Sequence, residues 1–185
     1  NRGVQTYGTV DVPPSRGGAA VRSLGGSGAV LLGGQTLTLT DAGDTFTGSI
    51  HGSGGLTIAG GTETLAGTNT NTGATSIGHD GDLALSGSGS IALSSGVANN
   101  GVLDIAATSN GAQVRTLSGS GAVLLGGQTL TLTNAGDTFA GSIQGSGGLA
   151  IAAGTETLTG VNTHTGATAV SQGATLALAG NGSIG

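Results

Sequence analysis

The chain has 185 residues, of which 41 are glycine, only 13 carry a formal charge and three are aromatic, and it contains no cysteine. The longest stretch without glycine is nine residues, Val102 to Asn110, so neither a membrane-spanning helix nor a long amphipathic helix fits between the glycines. A net charge of −5 with four scattered arginines gives no basic patch for nucleic acid. Without cysteine there is no disulfide framework and no thiolate metal site.

The chain is built from a duplicated unit. Residues 1–21, which include Pro13 and Pro14, do not match the rest and are expected to form a lead-in or a partial turn. Residues 22–92 align without a gap on residues 115–185, with 51 of 71 positions identical. We therefore predict one continuous domain with a first unit at 22–114 and a second, shorter unit at 115–185.

A shorter echo lies inside each unit, because the GSG motif at Gly26 recurs at Gly52. This spacing predicts a solenoid with turns of about 25 residues. Apolar residues recur in i, i+2 pairs, which is typical of short strands with one buried face. The pairs are Leu37/Leu39, Leu56/Ile58, Leu83/Leu85, Ile91/Leu93, Leu103/Ile105, Leu130/Leu132, Leu149/Ile151 and Leu176/Leu178.

A single turn buries too few aliphatic side chains to offset its backbone entropy, so the turns must stack. Stacked turns pair each strand with the equivalent strand above and below it. The sequence therefore predicts an all-β fold, a single-stranded parallel β-helix (β-solenoid) of seven or eight Gly-rich turns. Such a rod would be ~35 Å long.

Two stretches carry a resemblance to a known family. GSGGLTIAGGTETLAGTNTNTGATSI (Gly52–Ile77) and GSGGLAIAAGTETLTGVNTHTGATAV (Gly145–Val170) resemble the passenger-associated repeat of bacterial autotransporters. The resemblance implies a right-handed β-helix, exported by type V secretion through an outer-membrane translocator barrel that these residues do not include. It also implies a location on the surface of a Gram-negative bacterium, or release from it, and a role in adhesion, aggregation or biofilm formation.

We therefore predict a non-enzymatic passenger segment that acts as an adhesive module and spacer stalk, with no cofactor. Its expected partners are other copies of itself and surface or host glycans and proteins, with no nucleic acid and no membrane span. The alternative is a self-assembling extracellular filament, since an open solenoid end templates further strands. A polysaccharide-active β-helix enzyme is the third hypothesis.

Glu63 and Glu156 are the catalytic candidates of that third hypothesis. The echo within each unit aligns them with Leu37 and Leu130, positions that point inward. A glycoside hydrolase would use such a carboxyl group as a general acid with a raised pKa. The competing interpretation places each glutamate at a strand end where it reaches solvent, since an unpaired charge is costly to bury.

Asp80 and Asp82 are candidate metal ligands, because GHDGDLALS resembles the calcium-binding nonapeptide of repeat-in-toxin proteins. That pattern occurs once and with different spacing, so we favour turn residues. The recurring AGDTF motif contains Asp44 and Asp137, which we expect to hydrogen-bond their own turns.

Histidines and threonines are the remaining polar candidates. His51, His79 and His164 each align with a different residue type in the other copy, so we expect surface positions rather than metal ligands. The threonine runs at 36–40, 68–72 and 129–133 are expected to point outward from strands. A flat array of hydroxyl groups that binds ice or glycans would need threonines at the same place in every turn, and these runs do not recur in every turn.

Overall fold

Alternating aliphatic residues form short strands throughout the chain. A computed structural model describes residues 3–14 and 17–185, which are all β with no helix. Within these ranges no helix is long and apolar enough to cross a bilayer. The strands are β1 Val4–Thr6, β2 Thr9–Asp11, β3 Ala19–Val21, β4 Leu24–Gly26, β5 Ala29–Leu31, β6 Leu37–Leu39, β7 Thr45–Phe46, β8 Ser49–His51, β9 Leu56–Leu65, β10 Thr75–Gly87, β11 Val97–Asn99, β12 Val102–Thr108, β13 Ala112–Val114, β14 Leu117–Ser118, β15 Ala122–Leu124, β16 Leu130–Leu132, β17 Thr138–Phe139, β18 Ser142–Gln144, β19 Leu149–Ile151, β20 Thr155–Leu158, β21 Thr168–Val170 and β22 Thr175–Leu178.

The strands stack in parallel, as the sequence predicts, in a β-solenoid of about 9 turns. One column runs from Leu37 through Leu56, Thr75 and Val97 to Leu117 in successive turns. Each step along this column takes roughly 20 residues, at the short end of the periods typical of solenoids. The predicted turn length is therefore wrong, and the shorter turn accounts for the larger number of turns.

Equivalent residues in the two copies of the repeated unit lie on different sides of the solenoid. The column that contains Leu39 continues through Ile58, Ile77, Asn99 and Gly119 and reaches Phe139 five turns after Leu39. The sequence equivalent of Phe139 in the first copy is not Leu39 but Phe46, which stacks under Leu65 in a different column. Five turns are thus longer than one repeated unit, and the second copy is displaced by one side around the axis.

A single hydrophobic core runs through both units. It extends from Val12 to Leu158 and consists almost entirely of Leu, Ile and Val, with Phe46 and Phe139 as its only aromatic members among the described residues. Part of the segment 1–21 belongs to the solenoid, since β1 pairs with β4, β2 with β5 and β3 with β6. Residues 1, 2, 15 and 16 of this segment lie outside the described part of the chain.

The predicted alternation holds for most strands. In β6, Leu37 and Leu39 are buried and Thr38 between them is half-exposed. The pair Ile91/Leu93 is an exception, because these residues lie in a turn where Ile91 is buried and Leu93 is exposed. Its i, i+2 spacing predicted a strand that does not form.

Glycine is needed where the backbones of successive turns touch. A Cβ atom on Gly48 would lie 1.9 Å from the carbonyl oxygen of Gly28, and one on Gly67 would lie 1.9 Å from that of Gly48. Gly141 stands on Gly121 in the same way, at 1.8 Å. Because no side chain fits at these corners, the turns can stack this closely only if these residues are glycine.

Candidate functional site

The two catalytic candidates lie in the interior. Glu63 on β9 and Glu156 on β20 are both 0% exposed. In the next turn Leu83 stacks on Glu63 and Leu176 stacks on Glu156. The prediction that alternation points these residues inward is confirmed, and the interpretation that they reach solvent at a corner is wrong. The strand register leaves them no route to the surface.

These carboxyl groups have few partners. Oε2 of Glu63 accepts a hydrogen bond of 3.5 Å from the Leu24 amide, whereas its Oε1 has no partner. Neither oxygen of the Glu156 side chain has one. Removing a carboxyl group from water without hydrogen bonds strongly favours its neutral form.

Both glutamates are accordingly protonated at neutral pH. Burial raises the pKa of Glu63 from 4.5 to about 8, the hydrogen bond from Leu24 opposes the rise, and the charge of Asp44 adds to it. Burial also raises the pKa of Glu156 to about 8, and the charge of Asp137 adds to the rise. Each copy thus contains one neutral, buried glutamic acid.

Asp44, whose charge acts on Glu63, lines a surface groove of about 430 Å³. It is half-buried, and its Oδ2 accepts a hydrogen bond from the hydroxyl of Ser23 in the preceding turn. The expectation that Asp44 bonds its own turn is therefore wrong. At the rim, Arg22 and Asp41 form an ion pair at 2.7 Å between exposed side chains.

This arrangement does not suit glycoside hydrolysis. A general acid must reach the glycosidic oxygen, directly or through one water molecule. Glu63 is fully buried and does not line the groove, so a polysaccharide in the groove would meet Asp44 and Asp41 instead. The raised pKa of Glu63 arises from its place in the core, and the enzyme hypothesis gains no support from it.

The candidate metal ligands Asp80 and Asp82 lie within strand β10 and not in a turn. Asp80 is exposed, and Asp82 is half-buried and accepts a 3.2 Å hydrogen bond from the Thr62 hydroxyl. Across residues 3–14 and 17–185, no group of three or more His, Cys, Asp or Glu side chains could hold a metal ion. The turn assignment of these aspartates is wrong because a bulge between Ile77 and Asp80 lets β10 continue past the corner.

The three histidines have different environments. His79 is exposed, as predicted. His164 is 0% exposed, so its predicted surface position is wrong. One ring nitrogen of His164, Nε2, lies 2.8 Å from the Thr168 hydroxyl, and Nδ1 has no partner. Burial lowers the pKa of His164, against a smaller opposing effect of the Ile143 backbone.

His51 is half-buried on the outer side of β8 and joins two hydroxyl groups. Its Nε2 lies 2.7 Å from the Ser49 hydroxyl oxygen, and its Nδ1 lies 2.7 Å from the Thr70 hydroxyl oxygen of the next turn. We call Ser49, His51 and Thr70 the His51 cluster. Sequence reasoning missed it because Thr70 lies a full turn further along the chain than His51.

The role of two buried asparagines was also not predicted from the sequence. Asn69 accepts a hydrogen bond from the Ile50 amide at 3.0 Å and donates to the carbonyl groups of Gly67 and Ser90, both at 3.1 Å. Asn162 makes the equivalent three bonds in the second copy. Each asparagine therefore links its own turn to the turns below and above it. The shared Gly-x-Asn sequence at 67–69 and 160–162 was the available signal.

A row of small side chains runs along one side of the solenoid. Thr38, Thr57 and Ser76 are in register in successive turns, and the row continues through Ala98 to Ser118. All five are half-exposed. Hydroxyl groups thus occupy this position in four of five turns, a more regular array than the sequence indicates.

Comparisons of the chain with protein-family models, with curated proteins and with solved structures found no match.

Proposed function

We propose that the chain is part of a bacterial surface protein, a passenger segment that serves as an adhesive module and spacer stalk. The observation that carries the proposal is the unbroken stack of about 9 turns around one core, which holds long rows of outward side chains at fixed spacing. At ~4.8 Å per turn the stack is ~40 Å long. Such a body extends a surface away from its point of attachment.

The row Thr38–Thr57–Ser76–Ala98–Ser118 is the adhesive surface we favour. Its residues are held by parallel β pairing, so binding costs little additional backbone ordering. Hydroxyl groups donate and accept hydrogen bonds, and a row of them without charge suits broad contact with glycans or polar protein surfaces. This agrees with an adhesive role that depends on no single residue.

Export by type V secretion follows from the resemblance of Gly52–Ile77 and Gly145–Val170 to the passenger-associated repeat. The absence of cysteine from the whole chain is compatible with passage through the oxidising periplasm. A location on the surface of a Gram-negative bacterium, with other copies or surface glycans and proteins as partners, belongs to the same proposal.

One observation favours the filament as a second candidate. The last described turn exposes three large apolar side chains, those of Val170, Leu178 and Ile184. Its strands β21 and β22 each pair on one side only. Another turn of a longer chain would cover this end, and so would the first turn of a second copy.

Surface display tests the adhesive role. The chain, fused to an outer-membrane translocator and displayed on a non-adherent bacterium, is expected to increase cell aggregation and attachment to glycan-coated plates. Lysine at Thr38, Thr57 and Ser76 should reduce attachment. Lysine at Thr45, Thr64 and Ala84, which form a row on another side of the same turns, is the matched control and should leave it unchanged. Displayed protein that adds no attachment or aggregation overturns the proposal.

A further inference from the structure

The His51 cluster has the connectivity of an activated nucleophile. A hydroxyl group becomes a useful nucleophile when an adjacent base takes its proton and a third group orients that base. With the imidazole proton on Nδ1, the ring donates to the Thr70 hydroxyl at 2.7 Å, and Nε2 accepts from the Ser49 hydroxyl at 2.7 Å. All three residues are half-exposed and therefore accessible from solvent.

The turn below supplies an apolar floor. Ala29 stacks directly beneath Ser49, and Leu31 stacks beneath His51. The Leu31 side chain is 39% exposed and lies between Asp11 of the turn below and His51 of the turn above. An acyl group that approaches the Ser49 hydroxyl can therefore rest on Ala29 and Leu31, and short acyl chains fit this small patch best.

The second copy repeats the positions of Ser49 and His51 on the turn below, but it has glutamine in place of the basic histidine. Ser142 stands on Ala122, and Gln144 stands on Leu124, as Ser49 and His51 do on their partners. The Gln144 side-chain amide donates to the Ser142 hydroxyl at 2.8 Å. An amide nitrogen cannot accept a proton from serine. The duplication thus provides a matched serine that lacks an activating base.

We propose that Ser49 is a nucleophilic modification site that accepts a short acyl group from a small activated ester, with His51 as general base and Thr70 as the positioning residue. The Ser49 oxygen attacks the ester carbonyl carbon while its proton passes to Nε2 of His51. The new ester bond forms as the bond to the leaving alcohol breaks, and His51 returns the proton to that alcohol.

We expect no oxyanion hole from the described residues around Ser49, because the nearby backbone amides of Ser49 and Ile50 are engaged. The Ser49 amide donates to the Gly28 carbonyl at 3.1 Å, and the Ile50 amide donates to Asn69 at 3.0 Å. The activation therefore comes from proton transfer alone, which contributes on the order of 100-fold or more. We expect slow, stoichiometric acylation and no rapid turnover.

Peptide mapping by mass spectrometry after treatment with p-nitrophenyl acetate tests the proposal. Ser49 should become acetylated about 100-fold faster than Ser142 in the same molecule. His51→Gln recreates the arrangement of the second copy and should reduce the Ser49 rate to that of Ser142. Gln144→His should raise the Ser142 rate. Both changes are at outward positions, and circular dichroism verifies that the fold persists.

Three outcomes would overturn the proposal. Equal rates at Ser49 and Ser142 would show that His51 does not activate the hydroxyl group. An unchanged Ser49 rate in His51→Gln would show the same. Acetylation that persists on the His51 ring in Ser49→Ala, at the full wild-type rate, would make histidine and not serine the nucleophile.

Discussion

The Glu63 carboxyl group lies fully buried beside Asp44 of the preceding turn, and the charge of Asp44 helps to raise the pKa of Glu63 to about 8. Glu156 and Asp137 repeat this relationship in the second copy. In the unfolded chain both glutamates titrate near 4.5. Between these pH values the native solenoid therefore holds two protons that unfolding releases.

Stability should fall as the pH rises. Each glutamate contributes stability that is fully present below pH 4.5 and is lost as the pH rises to about 8, because the native state binds more protons than the unfolded state in this interval. The expected slope is ~1.4 kcal/mol per pH unit for each group. Thermal unfolding followed by circular dichroism should give a lower Tm at pH 8 than at pH 5.

The double variant Glu63→Gln, Glu156→Gln is the control for this pH dependence. Glutamine is similar in shape but does not titrate, so the decrease in Tm between pH 5 and pH 8 should largely disappear. A wild-type Tm that is constant over the interval, or a decrease that the double variant retains in full, would contradict the assignment of buried neutral glutamates.

Asp44→Asn should lower the pKa of Glu63, because it removes the neighbouring negative charge while keeping an oxygen that can accept from Ser23. The Glu63 pKa can be measured by NMR titration of its side-chain carboxyl carbon. Asn134→Asp, an exposed change in the second copy, is a charge control that should leave Glu63 unaffected. An unchanged Glu63 pKa in Asp44→Asn would mean that burial alone accounts for it.

Gly48→Ala should destabilise the solenoid by several kcal/mol. Its Cβ atom would lie 1.9 Å from the Gly28 carbonyl oxygen and 2.5 Å from the Phe46 ring, so the turns would have to separate. Gly43→Ala is the matched control, because no atom lies within 4 Å of its added Cβ. Urea titration should show a large decrease in unfolding free energy for the first variant only. Equal effects would contradict close backbone packing at Gly48.

Asn69→Ala should lower the free energy of unfolding by about 1–3 kcal/mol, because it leaves the buried Ile50 amide without a partner. The Gly67 and Ser90 carbonyl groups each lose the bond from Asn69 but keep one from a backbone amide. Asn110→Ala, at an exposed position, should change it by less than about 0.5 kcal/mol. Urea titration of both variants provides the comparison. A neutral effect of Asn69→Ala would show that its hydrogen bonds do not link the turns.

The strand pattern could be predicted from the sequence, but the length of a turn could not. Leu37 and Leu39 alternate with Thr38 clearly enough to define a strand and its buried side. All sides of the solenoid, however, use the same combination of alternating strand and glycine corner. The sequence echo that aligns Leu37 with Glu63 is therefore longer than one turn. One turn takes the chain from Leu37 to Leu56, and the remaining residues carry it to Glu63 on the next side of the solenoid. The larger repeated unit is likewise not a whole number of turns, because it is slightly shorter than five turns.

The buried polar groups were only partly predictable. The alternation of apolar and polar residues correctly predicted that the Glu63 side chain points inward. The cost of burying a charge argued instead for a solvent-exposed side chain. Protonation resolves this conflict, because the buried carboxyl group is neutral. His164 lies outside the regular strands, where alternation gives no direction. The His51 cluster joins residues of two turns, so it depends on a turn length that the sequence did not reveal.

Small-angle X-ray scattering across a concentration series tests the proposed stalk most directly. A spacer stalk predicts a rod ~40 Å long whose length and mass do not change with concentration. Particles that lengthen with concentration at constant cross-section would contradict it. They would make the exposed end at Val170 and Leu178 the functional surface of a filament.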